Sequence, residues 1–291
     1  MSRTPIRAGD IGIHAILIIV VLAMVLPFVH EIAKSLSSPK AVSSGLVGLW
    51  PREPTMGNYL YFYTKQINPL LRSYGTTVFI TVVGTVWSLI VSSMLAFSIS
   101  RPKKEFSWGI LAMSVAIFSM IFTPPIVPYF LAIKSYGLMD SVWAIILPHS
   151  VVPFHLIILV TFFRELPSEL IDSCRIDGAG SFTIYRRMVI PLSTAALATI
   201  AVFTAIIFWN IFLHPLLFIR TPGKEPLQIF LRSIFEGAGT EVVTTMEVDP
   251  YAQAESMKSA LVVITTLPIA IVYPFLQRYF VKGMMVGAVK Q

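Results

Sequence analysis

The chain has 291 residues, of which 55% are apolar types and only 13% charged, with a mean hydropathy of +0.77. A soluble domain carries roughly 25% charged residues, so this chain lacks the polar groups to cover itself in water, and lipid must be its main solvent. A single cysteine, Cys174, excludes an intrachain disulfide and argues against a cysteine-based metal site. The net charge of +7 invites a nucleic-acid reading, but basic residues flanking membrane spans explain it better, and no nucleic-acid partner is expected.

A spanning helix needs about 20 mostly apolar residues. Six stretches qualify: 11–32, 76–100, 107–131, 141–163, 191–219 and 258–281. Lipid admits only helices or closed barrels, and runs this long exceed barrel strands. The expected fold is therefore an all-α integral membrane domain occupying residues 1–291. Arg3 and Arg7 before the first run resemble the start of a signal peptide. No small-x-small cleavage site follows, and five more apolar runs do. Pro124 and Pro125 are expected to kink the third span. His14, alone near the start of the first span, reads as structural.

Charge sets the orientation. With the N-terminus inside, the inner loops hold twelve basic and six acidic residues, net +6, and the outer loops ten and nine, net +1. Loops 101–105 and 164–187 carry most of the asymmetry, and short loops are where the positive-inside rule applies. Both termini are then cytoplasmic. The outer loops 33–75 and 220–257 are long. The first ends in an aromatic stretch suited to an interfacial helix, and the second opens on the amphipathic PLQIFLRSIFEG. Loops of this length suit docking of an outer partner. No GxxxxGK[ST], GxGxxG or HExxH occurs, so the chain carries no visible means of hydrolysing ATP.

The one long polar segment between two spans is loop 164–190, which contains PSELIDSCRIDGAGSFTIYRRMVIP. Ser168 is an expected N-cap, with Glu169 in the first turn favoured by the helix dipole. About two turns follow. Gly178 breaks them, since a glycine after a helix supplies a positive φ without a Cβ clash. Ser181 caps a second short helix on which Phe182 and Tyr185 share a face. Arg186 and Arg187 close it. These residues alone predict two short helices at a fixed angle on the cytoplasmic face, either as a connector or as a docking element.

This stretch resembles the cytoplasmic signature loop of permease subunits of binding-protein-dependent ABC importers. Pro167, Glu169, Leu170, Arg175, Ile176, Asp177, Gly178, Ala179, Phe182, Ile190 and Pro191 fall in that pattern. Its central Glu-Ala-Ala is here Asp172, Ser173 and Cys174, which keeps one acid and two small residues. WNIFLHPL (209–216) is similar to the family's Trp-Asn segment, with Ile211 where an acid is common. FLQRYFVKGMMVGAVK (275–290) resembles the tail of the carbohydrate branch, closest to importers of oligosaccharides and polysaccharide fragments. The resemblance implies a coupling helix that fits a groove on a separate ATPase. Gly178 would set its bend, and Glu169, Asp172, Ser173, Cys174 and Asp177 would supply its polar and small contacts. Ile176, Ala179 and Phe182 would supply its apolar contact. The tail residues Val286, Gly287, Ala288 and Lys290 would also reach the ATPase.

The resemblance further implies a second, non-identical permease subunit, two cytoplasmic ATP-binding subunits and an extracytoplasmic solute-binding protein. The cargo would be an oligosaccharide, with acidic uronate oligomers such as alginate as one expectation. The location would be the bacterial inner membrane. No cofactor is expected on this chain, since ATP and Mg would sit on the ATPase subunits. Inside the spans, Trp209, Asn210, Phe212, His149 and His155 are candidates for the sugar path, since aromatic faces stack on sugar rings and polar groups bond hydroxyls. Interhelical hydrogen bonding is the other use for them. No pair of residues looks catalytic. A stand-alone secondary transporter or channel is the competing function, but ion-coupled carriers need intramembrane acids and none lies deep in a span.

Overall fold

The computed structural model describes residues 8–122, 124–237, 254–268 and 270–271. The expected tail contacts at Val286, Gly287, Ala288 and Lys290, and the second half of the last apolar run, lie outside them. Among the described residues the elements are helices, plus one isolated bridge between Ser37 and Pro54.

Among the described residues, two helical runs are long and apolar enough to cross a membrane, Gly12–Ser35 and Gly57–Ser100. Two further pairs count as one span each if a bend is allowed: Trp143–His149 with Pro153–Arg164, bent by 43°, and Ser181–Leu192 with Thr194–Trp209, bent by 82°. Gly109–Ile121 and Ile126–Ser135 are apolar but short. The third apolar run is therefore broken rather than merely kinked. The second reaches further upstream than expected, because the aromatic stretch after Gly57 is helical and passes through one π turn, Phe62–Gln66. The amphipathic segment after Pro226 is a helix, Leu227–Gly237, as its pattern predicts.

Contacts divide the chain into two units. The first takes Met1–Asn68 and Leu231–Ile271. Its helix α1 (Ala8–Ser35) is apolar on every side, and its large side chains from Ile13 to Val29 are exposed, as for a helix whose solvent is lipid. Beyond it α2 (Pro39–Ser43) is capped by Ser38 Oγ, which accepts from Ala41 N at 3.2 Å. Lys34 Nζ reaches Glu255 at 2.7 Å, and Ser256 Oγ donates to the Asn58 amide oxygen at 3.2 Å.

The second unit takes Pro69–Phe230 and Val272–Gln291. After α3 (Gly57–Tyr61), its backbone is α4 (Ile67–Ser100). The buried positions of α4 include Ser73, Thr77, Ile80, Gly84, Ser88, Ser92, Ala96 and Ile99, a face at helical spacing made largely of small residues, with Leu70, Ser93 and Phe97 buried as well. Small side chains let helices approach closely where lipid supplies no hydrophobic drive between them. Three partners pack here, each in two pieces, the first and third running against α4 and the second along it. They are α5 (Gly109–Ile121) with α6 (Ile126–Ser135), α7 (Trp143–Ile146) and the turn Leu147–His149 with α8 (Pro153–Arg164), and, after the loop helices below, α12 (Thr194–Trp209) with α13 (Leu213–Phe218).

Prolines account for the breaks. Pro124 and Pro125 follow the end of α5, and Pro153 opens α8 at the first helical position, where its missing N–H costs nothing. Pro215 cannot donate back toward Ile211, so α12 cannot run on into α13. The pieces nearer loop 101–106 share one core, the inner core below, with Ala96, Phe97, Ile99, Ala116, Leu156, Leu159, Val160, Phe163 and Ile200 buried together. The pieces at the other end share another, centred on Ile133, Ala144 and Phe218.

Candidate functional site

Loop 164–190 folds as two short helices, α9 (Ser168–Ile176) and α10 (Ser181–Ile184), followed by a π turn Tyr185–Val189 and α11 (Ile190–Leu192). Neither serine caps as its position suggests. Pro167 and Gly180 hold the N-cap positions, Ser168 and Ser181 are the first helical residues, and no side chain bonds either helix start. The end of α9 follows the expected chemistry. Gly178 has φ +78°. Its N–H bonds Arg175 O at 2.9 Å and the Ala179 N–H bonds Cys174 O at 2.9 Å, the two bonds of a Schellman ending. Cys174 and Ala179 both lean on the inner core.

Two buried isoleucines anchor the loop, Ile171 in α9 and Ile184 in α10. Burying each is worth about 1.5–3 kcal/mol. Tyr185 adds a hydrogen bond to Ser93 Oγ at 2.7 Å and a ring contact to Phe97 at 5.6 Å. What remains outside is apolar as well. Ile176 is 88% exposed, Phe182 62% and Leu170 44%. Glu169, Asp172, Ser173 and Asp177 are exposed around them, with Ser173 Oγ turned back to Leu170 O at 2.9 Å. Cys174 is half-buried, its Sγ 3.5 Å from Met188 Sδ.

Arg175 ties α9 to the other basic loop through a salt bridge to Glu105, with Asp172 3.7 Å away on its own helix. The hydrogen bond that Arg175 donates to Glu105 raises the Arg175 pKa above its ordinary value. Arg101 lies over the Phe97 ring at 4.7 Å, and partial burial lowers its pKa. Loops 101–106 and 164–181 thus meet at one end of the unit.

The opposite end is held by Asp140. Its carboxylate accepts from the N–H groups of Arg220 and Thr221 at 2.9 Å, from Thr221 Oγ1, and from Lys224 Nζ at 3.0 Å. These bonds, that of Thr221 Oγ1 first, hold its pKa well below the usual carboxylate range.

Between the two ends, the candidates for a path fall into two places. His149 stands at the end of the first piece of its span. Its Nδ1–H donates to Ile145 O at 2.9 Å, and its ring meets those of His214 at 4.7 Å and Phe208 at 5.8 Å. Tyr129 and Phe218 complete that aromatic group around His214. Asn210 caps the end of α12, its amide donating to Ile206 O at 2.9 Å, and Phe212 is partly exposed in the break beside it. Trp209 is half-buried with its Nε1 buried and unpartnered among the described residues. His155 lies apart from these: it is buried, and its Nδ1 is 3.2 Å from Thr204 Oγ1 between α8 and α12.

Residues 61–286 match the family profile described as binding-protein-dependent transport system inner membrane component. The chain belongs to this family.

Relatives extend the match to the chain's full length. It is 36% identical to the polygalacturonan/rhamnogalacturonan transport system permease protein YtcP of Bacillus subtilis (strain 168), over 98% of this chain and 99% of that one. It is 30% identical to the arabinooligosaccharides transport system permease protein AraQ of Halalkalibacterium halodurans, over 82% and 81%. It is also similar to a chain in the crystal structure of a bacterial ABC transporter involved in the import of the acidic polysaccharide alginate, with TM-score 0.80 and 28% identity over 96% of this chain and 100% of that one. As an inner membrane component of such a system, the chain is a bacterial inner-membrane transport subunit rather than a catalytic one.

In this inner membrane component, sequence reasoning missed Ile171 and Ile184 as the loop's anchors, and Glu105 as the partner of Arg175. It also missed Tyr129 beside the histidines. The anchors were readable only as apolar residues among other apolar residues. The acid in RPKKE was the one signal for the salt bridge.

Proposed function

We propose that the chain is one permease half of an ATP-driven importer of oligosaccharides, with six spans, both termini cytoplasmic, and loop 164–190 as its coupling element. It pairs with a second permease, two ATP-binding subunits carrying ATP and Mg, and an extracytoplasmic binding protein. The observation that carries this reading is the division of labour in the loop. Ile171 and Ile184 fix it to the inner core, while Ile176, Phe182 and Leu170 remain exposed among Glu169, Asp172 and Asp177. A loop that only joined two spans would have no reason to hold so much apolar surface outward on a rigid two-helix support. The meeting of loops 101–106 and 164–181 supports placing both on one side of the membrane, as the positive-inside count requires.

The cargo is an acidic oligosaccharide, a uronate oligomer. One relative is named for polygalacturonan and the alginate importer for an acidic polysaccharide. The arabinooligosaccharide relative supports a second reading, a neutral oligosaccharide. Reconstituting the complex with its co-encoded partners and measuring ATP-dependent uptake of oligogalacturonate against a neutral arabinose oligomer tests both. Uptake of either sugar by the purified single chain under a proton gradient, without ATP or binding protein, would overturn the permease assignment.

A further inference from the structure

The spans of the second unit, 76–100, 107–131, 141–163 and 191–219, contain no Asp, Glu, Lys or Arg. Their only groups able to gain positive charge near neutral pH are His149, His155 and His214. A uronate carries a carboxylate on every ring, and a bare carboxylate in such surroundings is costly without a counter-charge. His155 is committed to Thr204 inside the inner core.

His149 and His214 are placed differently. Their ring centroids are 4.7 Å apart, edge to face, at the break between α12 and α13. A backbone carbonyl can only accept, so the His149 Nδ1 that bonds Ile145 O must carry its hydrogen. Its Nε2 is then the nitrogen that gains or loses a proton. The rings around the pair belong to Tyr129 from α6, Phe208 from α12 and Phe218 from α13. Tyr129 is the one further titratable group among them. Asp140 faces the backbone of 220–221 and Lys224 instead. His214 lies six residues before Arg220 and His149 nine after Asp140. At about 1.5 Å per helical residue both sit roughly 9–14 Å below the outer end. Cargo arriving from outside meets them early.

We propose that the His149–His214 pair reads the carboxylate of a passing uronate. Two imidazolium rings this close would repel each other, so the pair takes one charge and not two. A docked carboxylate makes one protonation favourable. The proton comes from extracytoplasmic water onto an imidazole nitrogen and returns to water as the carboxylate leaves, with no net transfer. A neutral sugar ring passes without it. This rests on the oligosaccharide-permease reading and assigns its specificity.

The test uses the full complex in proteoliposomes with its co-encoded binding protein. Uptake of oligogalacturonate is compared with uptake of the same oligomer after carboxyl reduction, from pH 6 to 8. His149→Gln and His214→Gln keep hydrogen bonding and remove the charge. Expected is a roughly ten-fold fall in uronate uptake for each variant, the scale of one lost charge interaction, and a much smaller fall for the reduced oligomer. Wild-type uronate uptake should fall as pH rises across that window and the variants should be flat. Equal loss for both sugars, no loss for either, or a flat wild-type profile overturns the proposal, and the last needs no variant. If the wild-type complex takes up only the reduced oligomer, the carboxylate assignment fails and the permease reading stands. If it takes up neither, the permease reading itself fails.

Discussion

A methyl group at position 84 would stand 2.7 Å from Cε2 and Cζ of Phe208. Gly84 of α4 is the floor on which that ring lies. Phe208 is only 1% exposed and is enclosed by Ile80, Ile145, Ile146 and Ile211, so it has nowhere to swing. Gly84→Ala is therefore expected to push α4 and α12 apart and cost about 1–3 kcal/mol, the scale of overpacking. Thermal melting of the purified subunit or complex should show a lower midpoint. Phe208→Leu alone loses packing, but combined with Gly84→Ala it returns space. The double variant should melt well above the sum of the single losses.

Gly178 tests the coupling loop through its backbone. A Cβ there would meet nothing within 4 Å, so the only penalty is the φ of +78°. A side chain in that region costs about 1–2 kcal/mol and a β-branched one more, while asparagine visits it readily. Gly178→Asn should leave ATP hydrolysis stimulated by loaded binding protein near wild type. Gly178→Val should lose most of the stimulation, with the ATPase subunits' own hydrolysis unchanged. Normal stimulation in the valine variant would remove the loop from the coupling role.

The sequence was most legible where local chemistry decides: the described elements are helices apart from one isolated bridge, and Pro124, Pro125 and Pro153 mark two of the breaks. The αL ending at Gly178 was likewise readable, because a single residue's φ determines it. The anchoring of α9 was not. Leu170, Ile171 and Ile176 are all apolar, yet only Ile171 is buried, and the choice is made by Phe163, Val189 and the rest of the inner core. The His149–His214 contact joins residues 65 positions apart, a closeness set by two chain breaks and encoded in neither segment alone.

The salt bridge between Glu105 and Arg175 joins partly exposed side chains. Such pairs contribute only about 0.2–1 kcal/mol, so Glu105→Gln should barely move the melting temperature. Its effect should be local. Without Glu105, α9 loses its tie to loop 101–106 while Ile171 stays buried. Hydrogen exchange across 168–177 should quicken several-fold, and the exchanged pair Glu105→Arg with Arg175→Glu should restore part of the protection. A large drop in global stability from Glu105→Gln would show that the bridge is worth more than its exposure allows.

Asp140 gives a pH dependence with a definite sign. Its folded pKa is depressed by the hydrogen bonds from Thr221, Arg220 and Lys224. A carboxylate held in this way stabilises the fold at every pH above its unfolded value, near 3.9, and that contribution is lost only as pH falls toward the lower folded value. Asp140→Asn keeps the shape and the tolerance for φ +58° but has one acceptor oxygen and no charge for four donors. The wild type should therefore melt above Asp140→Asn by a constant margin from pH 8 to 5. The margin should shrink only below about pH 4. A margin that instead changed across pH 6 to 8 would mean that Asp140 is coupled to a neighbouring imidazole, and not held by the 220–224 loop alone.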